Sequence, residues 1–464
     1  MYFKQIYEKG LAQASYIIGC QASGTAIVVD PKRDIDTYFE IAEAENLNIT
    51  HVTETHIHAD FLSGSRELVA KTGAQLLLSE EGGSDWQYQF DKRGLKDGDI
   101  IMVGNIRLAV MHTPGHTPEH ISFLVTDTPA GDHPSILLSG DFVFVGDIGR
   151  PDLLEKAAGL SGTMQLGARQ MYNSLKKFSA LPDFVQVWPG HGAGSACGKA
   201  LGSVPASTVG YEKLVNWAFQ IEDEELFVKT LLEGQPEPPK YFAMMKKLNK
   251  IKRPLLPDLP EYQPLTVPDL KKAQAENTII VDVRDKSEFS QAHIPGSLHI
   301  EADSAFSMWA GWLLDYESRI LLVADQSQIN EITRALMRIG LDNVLGAFSF
   351  NEWRKAGEEI ASVKNITAWE LNESLAKGQA QVIDVRGYLE YESGRIAQAK
   401  NIHLGYLSDQ LNNLPRDTHL VLQCQSGGRS TMAYSLLAKN KFKNIANLTG
   451  GLADWVKQGF ETAI

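Results

Sequence analysis

Two histidines stand two positions apart in Thr55-His56-Ile57-His58-Ala59-Asp60-Phe61, after a β-like run. On extended backbone, positions i and i+2 face the same side, so both imidazoles can turn toward one point. A third histidine lies in Thr113-Pro114-Gly115-His116-Thr117-Pro118 and a fourth in Trp188-Pro189-Gly190-His191-Gly192. A carboxylate follows an apolar run in Ser139-Gly140-Asp141. Imidazole and carboxylate together are a donor set for first-row metals. A lone histidine is usually a surface or core residue. Four histidines and an aspartate, three of these five beside glycine at a strand end, are hard to explain without a metal. Eight of the 12 histidines fall before residue 192, which places the metal chemistry near the N-terminus.

A second chemistry stands near the other end. Cys424-Gln425-Ser426-Gly427-Gly428-Arg429-Ser430 follows the apolar run Leu420–Gln423 and opens a helical stretch. Strand, glycine-rich loop, then helix points several backbone N–H groups at one spot. A thiolate there has a lowered pKa and is a nucleophile. Arg429 adds positive charge beside it.

Elements must position these groups. Tyr16–Gly19, Thr25–Val29, Ile106–His112, Ile121–Val125 and Ile136–Leu138 read as strands, with helical stretches at Ile35–Ala44 and Ser65–Lys71. That pattern predicts two sheets with helices outside, an αββα sandwich. Residues 211–233 and 240–251 read as helices separated by Pro236-Glu237-Pro238-Pro239. Four prolines within residues 253–264 predict a linker.

Beyond residue 264 the chain repeats itself at an offset of 102. Ile280-Val281-Asp282-Val283-Arg284 matches Val382-Ile383-Asp384-Val385-Arg386, and Trp353 matches Trp455. Strand-like Val281–Val283 and Ile320–Ala324 alternate with helix-like Glu331–Ile339; Val382–Val385, Leu420–Gln423 and Ser430–Ala438 are their counterparts. Alternating β and α elements predict a parallel sheet flanked by helices in each copy. Where the second copy has its thiol loop, the first reads Ala324-Asp325-Gln326-Ser327-Gln328. Asp325 takes the cysteine position, shifted by three from the 102 offset through a change in loop length. An aspartate cannot carry sulfane sulfur, so this copy is expected to be non-catalytic.

The bulk composition of the 464 residues is that of a globular protein, 43% hydrophobic and 22% charged. The formal net charge of −13 disfavours nucleic acid or an anionic membrane as a partner. Three scattered cysteines, Cys20, Cys197 and Cys424, argue against a disulfide framework and for a reducing compartment. No secretory signal and no apolar run long enough for a membrane span is seen. A cytoplasmic location is expected.

T-H-x-H-A-D, P-G-H-T-P and G-D in this order resemble the metallo-β-lactamase fold, over about residues 1–252. Within that superfamily the chain is similar to the persulfide dioxygenases, which are mononuclear non-haem iron enzymes. The resemblance implies Fe(II) held by His56, His116 and Asp141, with O2 as co-substrate. Dinuclear zinc hydrolases of the fold have histidine directly after the aspartate; here Phe61 stands there, so a second ion at Asp60 and His191 loses a ligand. The resemblance makes His58 a neighbour of the ligands, though its spacing also permits direct ligation. It puts Arg150, in Gly146-Asp147-Ile148-Gly149-Arg150-Pro151-Asp152, by the thiol pocket, where it would pair with a substrate carboxylate or phosphate or else form a structural salt bridge. Cys197 follows the His191 loop and would either approach the site or fill a small buried space.

The thiol loop and the Asp-Val-Arg strand end before it resemble a rhodanese sulfurtransferase, over about residues 366–464. The resemblance implies that Cys424 is a persulfide carrier, with Arg429 part of its loop, and that residues 265–360 are a copy without the thiol. The joint reading is oxidation of a small thiol persulfide to sulfite plus thiol, coupled to sulfur transfer through Cys424 giving thiosulfate. The expected partners are a small persulfide and sulfite, with a homo-oligomer as the assembled form. Zinc would suit similar ligands and activate water instead. The alternative is therefore a thioester hydrolase resembling glyoxalase II fused to a sulfurtransferase.

Overall fold

A computed structural model describes residues 1–153, 155, 162–199 and 201–464. The chain forms two compact units. One is Met1–Leu259 with Met337–Gly340; the other is Pro260–Leu336 with Leu341–Ile464.

The first unit holds two six-stranded sheets. One is β1 (Tyr2–Glu8), β2 (Gln13–Cys20), β3 (Thr25–Val29), β4 (Asn48–Thr53), β5 (Gln75–Ser79) and β6 (Arg93–Leu95), in that spatial order. The other comprises β7 (Ile100–Val103), β8 (Ile106–His112), β9 (Ile121–Asp127), β10 (Ile136–Gly140), β11 (Gln186–Pro189) and β12 (Ser207–Thr208), also adjacent in sequence order. Strand side chains alternate between faces. Accordingly Ile18, Ile27 and Leu77 of the first sheet meet Leu108, Phe123 and Leu138 of the second in a shared core. Their neighbours Ile17 and Val28 turn outward against Tyr38 and Ile41 of the helix Asp36–Ala44 and Leu68 of the helix Ser65–Thr72. Leu137 and Val187 face Met171 and Phe178 of the helix Thr163–Ser179 and Phe227 of the helix Glu224–Leu232. Each such fully buried side chain contributes roughly 1.5–3 kcal/mol. The arrangement is the expected αββα sandwich.

The stretch 211–233 departs from the single helix expected. It is two helices, Val209–Val215 and Glu224–Leu232, with a 3-10 turn at Trp217–Phe219 between them. Asn216 makes the break: its backbone is extended, its side-chain oxygen accepts the Ala218 N–H, and its amide donates to the Asp147 carbonyl and to Glu212. Asp223 then caps the second helix by accepting the Leu226 N–H. The helix at 240–251 is observed as Tyr241–Lys250. The proline-rich stretch opens pinned rather than free. Arg253 is buried, forks onto Glu67 and also donates to the Ser63 carbonyl.

The second unit contains two parallel sheets, β13 (Ile279–Asp282) to β16 (Val344–Phe348) and β17 (Asn365–Ile366) to β21 (Ile445–Leu448). Within the first, β14 (Leu298–His299) and β15 (Ile320–Val323) flank β13. Within the second, β18 (Ala380–Asp384) lies between β19 (Lys400–Asn401) and β20 (His419–Gln423). The repeat is kept at the level of single bonds. Arg284 forks onto Asp282 and Arg386 onto Asp384, while the indoles of Trp353 and Trp455 donate to the carbonyls of Glu359 and Glu461. Among the described residues, no helix is long and apolar enough to cross a membrane.

Candidate functional site

Strand register assembles the metal-type residues. β10 and β11 run parallel and end with Gly140 opposite Pro189, so the next residues, Asp141 and Gly190-His191, leave the sheet side by side. Thr55, past the end of β4, accepts the Ile121 N–H at the start of β9, which brings the His56 loop to the same edge. Loops beyond strand ends are where such folds hold ligands. A Cβ at Gly190 would lie 2.6 Å from Asp141 Oδ1, so the close approach requires glycine there.

His56, His116 and Asp141 each present one donor atom, all within 4.8 Å of one another, and all three residues are buried. His116 Nε2 lies 3.5 Å and His56 Nε2 3.9 Å from Asp141 Oδ2. His116 is oriented by its Nδ1, which donates to the Arg150 carbonyl at 3.0 Å, leaving Nε2 to face inward. His56 Nδ1 is 2.9 Å from the Thr55 hydroxyl. His56 Nε2 and both Asp141 carboxylate oxygens are buried without a hydrogen-bond partner. Buried polar atoms are almost always satisfied, so converging orphans fit a metal ion. Burial pushes His116 down to about 3 and His56 well below its ordinary value, keeping both neutral with lone pairs to offer.

Asp60, His191 and Cys197 form a second buried group whose donor atoms also lie within 4.8 Å of one another. Asp60 Oδ2 is 3.3 Å and Asp141 Oδ1 3.4 Å from His191 Nε2. Cys197 therefore sits at the site and not merely in a packing gap. Burial, then the charges of Asp141 and Asp60, raise its thiol well above the ordinary value. Phe61 is buried and packs its ring 4.3 Å from the His58 ring.

His58 lies against the His56 ring, at 4.2 Å between centroids, but is not one of the three converging donors. Its Nε2 is 3.0 Å from Asp30 Oδ1. Burial would lower its pKa, but the charge and hydrogen bond of Asp30 outweigh this and raise it to about 9. It thus serves as a proton donor to Asp30, which also accepts the Thr55 N–H and hydroxyl. Arg150 is fully buried. It forks onto Asp152 at 2.7 Å twice and donates to the Ala196 and Pro236 carbonyls. Of its two sequence-based roles, the geometry gives the structural ion pair.

Several positioning residues escape the sequence reading. His120 Nε2 accepts the Asp141 N–H at 3.0 Å, and Glu119 accepts the Ile57 N–H at 2.8 Å. Asn249 donates to the carbonyls of His58 and Phe61 and accepts the Ser63 N–H. The four-residue spacing of His116 and His120 was a visible signal; Asn249 offered none.

At the thiol loop, the buried Cys424 Sγ accepts the Gly427 N–H at 3.2 Å and lies 3.5 Å from the Ser430 hydroxyl. Gly427, at φ +97°, makes the turn into the helix Gly428–Lys439. A β-carbon is strained in that region. Arg429 forks onto Glu390 at 2.6 and 2.7 Å. Burial opposes both charges, yet the pair holds Glu390 below and Arg429 above their ordinary values. In the first copy the register corrects the expected match: Asp282 pairs with Val323 as Asp384 pairs with Gln423, so Ala324 holds the cysteine position and Asp325, exposed and capping a 3-10 turn at Gln326–Gln328, lies one residue further on.

Residues 9–191 match the Metallo-beta-lactamase superfamily, and residues 266–356 and 367–458 each match the Rhodanese-like domain. The crystal structure of a metallo-beta-lactamase from Staphylococcus aureus subsp. aureus COL is 45% identical, covers 75% of this chain and 99% of its own, and superposes with a TM-score of 0.70. A hydroxyacylglutathione hydrolase of Rhodospirillum rubrum is 32% identical over 38% of this chain, which spans 60% of that enzyme. The mitochondrial persulfide dioxygenase ETHE1 of Bos taurus is 27% identical over 49% of this chain and 79% of its own length. The chain belongs to the metallo-β-lactamase superfamily and joins that metal-binding domain to two rhodanese-like domains.

Proposed function

We propose that this chain oxidises a small thiol persulfide to sulfite and thiol, and transfers sulfane sulfur through Cys424 to give thiosulfate. The observation that carries the reading is the pairing, on one chain, of a donor set of two imidazoles and one carboxylate with a cradled thiol. Fe(II) held by His56, His116 and Asp141 would supply the activation of O2 that oxidation of a thiol sulfur needs. The likeness to the Bos taurus persulfide dioxygenase supports this choice.

The chain's own residues divide the work. Neutral His56 and His116 and the Asp141 carboxylate would hold the ion, with His120 and the Arg150 carbonyl orienting His116 and Asp141. Asp30 keeps the His58 proton away from the ligand set. The sum of the oxidation is RSSH + O2 + H2O giving RSH, sulfite and two protons. At the second site Cys424 takes sulfane sulfur from another RSSH, releasing RSH and leaving Cys424–S–SH. Sulfite attacks the outer sulfur, the S–S bond breaks, and thiosulfate leaves Cys424 as thiolate. The Gly427 N–H donates to that sulfur, and Arg429 is held beside the loop by Glu390. Sharing one chain keeps the acceptor near the released sulfite.

A zinc thioester hydrolase is the second reading, favoured by the likeness to the Rhodospirillum rubrum hydrolase and by the second donor group at Asp60. Anaerobic metal quantification followed by O2 uptake with glutathione persulfide and coenzyme A persulfide separates the two. Iron with persulfide-dependent O2 uptake is expected. Zinc, with hydrolysis of a glutathione thioester and no O2 uptake, would sink the dioxygenase reading.

A further inference from the structure

Beside the loop that bears His56 and His58 lies a cavity of about 310 Å³ that neither the metal group nor the thiol uses. Its lining includes Ile57, Trp86, Gln89, Lys246, Lys247 and Lys250. That volume is within the range of small-molecule sites.

Two segments make its walls. One is the helix Tyr241–Lys250, whose last five residues supply all three lysines. The other is the turn Ser84–Trp86 and its continuation to Gln89. They are tied together: the Gln89 N–H donates to the Lys250 carbonyl at 2.8 Å, and the Lys250 ammonium donates to the Asp85 carbonyl. The walls are thus set by bonds independent of any ligand.

The bland explanation for the lysines is the helix dipole, which favours cations in a last turn. It suffices for a solvated lysine. It does not explain Lys246, whose ammonium is turned inward, 3.9 Å from the Trp86 ring centroid. Burial lowers Lys246 to about 7, and the charge of Glu119 only partly offsets this. Glu119 accepts the Ile57 N–H with one oxygen and keeps the other buried without a hydrogen-bond partner, so its charge still faces Lys246. Among the described residues, the acid that lines the cavity is Asp85, which is exposed. The lining thus carries three lysines, with Lys246 over the Trp86 ring and the Lys250 ammonium on the Asp85 carbonyl. A cation held over an aromatic face and beside a low-dielectric space gains strongly from an anion brought into that space.

We propose that this cavity is a binding site for a small ligand bearing carboxylate or phosphate, with Lys246, Lys247 and Lys250 taking the oxyanion and Trp86 covering its apolar body. Two sources share that chemistry: the non-reacting end of the thiol carrier, and a separate phosphate compound acting beside the metal loop. The site does not depend on which reaction the metal group performs.

The test is equilibrium binding to the full-length protein, read as the change in tryptophan fluorescence against the Trp86→Phe variant. The probes are inorganic phosphate, glutathione and, as a thiol without an oxyanion, 2-mercaptoethanol. Saturable binding of phosphate or glutathione is expected, with no response to 2-mercaptoethanol. The double substitution Lys247→Gln, Lys250→Gln should weaken it at least tenfold. Glutathione competing with phosphate identifies the thiol carrier as the source; phosphate binding alone identifies a separate ligand. Circular dichroism of the double variant checks that it is folded. No saturable response to either anion, or the same affinity in the folded double variant, overturns the proposal. Because nothing here reads O2 uptake, failure of the dioxygenase reading would not be mistaken for failure of the site.

Discussion

The Asn249 amide donates to the His58 carbonyl at 2.8 Å, tying a helix near residue 250 to the loop that carries the metal-type histidines. The same amide reaches the Phe61 carbonyl at 2.8 Å, and its oxygen takes the Ser63 N–H at 2.9 Å. One buried side chain thus fixes both ends of the turn around Asp60.

Replacing it should be costly. Asn249→Ala leaves two buried carbonyls and one N–H without partners, each a loss of roughly 1–3 kcal/mol before relaxation. Residues that orient metal ligands typically change affinity 10- to 100-fold. We expect a lower unfolding midpoint in calorimetry and metal affinity at least tenfold weaker by chelator competition. Wild-type metal affinity in a folded variant would contradict this role.

The two chemistries should be separable. His116→Ala should lose stoichiometric metal while sulfur transfer from thiosulfate to cyanide persists at wild-type rate. Cys424→Ala should keep its metal and O2 uptake, abolish transfer, and release sulfite in place of thiosulfate. Asp325→Ala should leave transfer intact. Loss of O2 uptake in Cys424→Ala would show that the sites do not act independently.

Cys197 poses a question of stoichiometry. With Asp60 and His191 it offers one nitrogen, one oxygen and one sulfur, but Phe61 supplies nothing. The expected content is one ion per chain, unchanged in Cys197→Ser and raised toward two in Phe61→His. Elemental analysis of the three proteins decides it. Two ions in the wild type that fall to one in Cys197→Ser would establish a thiolate-bound second site.

Acid should weaken the metal-binding unit through Glu67. Burial pushes this carboxyl up, but the hydrogen bond and charge of Arg253 and the charge of Arg33 outweigh burial and hold it below its ordinary 4.5. The unfolded chain therefore takes up the proton first as pH falls. The contribution is fully present above about 4.5 and is lost as pH drops through the folded value. Glu67→Gln should be less stable at neutral pH and show a shallower decline below pH 4.5 in calorimetry from pH 7 to 3. An unaltered acid limb would remove Glu67 as its source.

What the sequence disclosed was what lies close along the chain. A short apolar run marked β3 and alternating apolar residues marked β8 at their true ends, and the 102-residue offset revealed the duplicated unit. The donors His56, His116 and Asp141 were legible because each stands at a strand end beside glycine or a second histidine. Asn249, Glu119 and Asp30 were not, since their partners are fixed only when strands and helices pack. The role of Arg150 turned on Asp152, two residues away, and on carbonyls 46 and 86 residues distant. Asn216 hid the helix break because its side chain competes for the Asp147 carbonyl, a choice no local pattern displays.

The bidentate Asp282–Arg284 link is present in the copy that lacks a cysteine. It is therefore masonry, retained because the strand end needs it, and its twin at Asp384–Arg386 need owe nothing to sulfur chemistry. The first copy is in this sense a finished socket without a tooth. Transplanting Gln423–Ser430 between Val323 and the following helix is the direct way to learn whether reactivity resides in eight residues or in the whole domain.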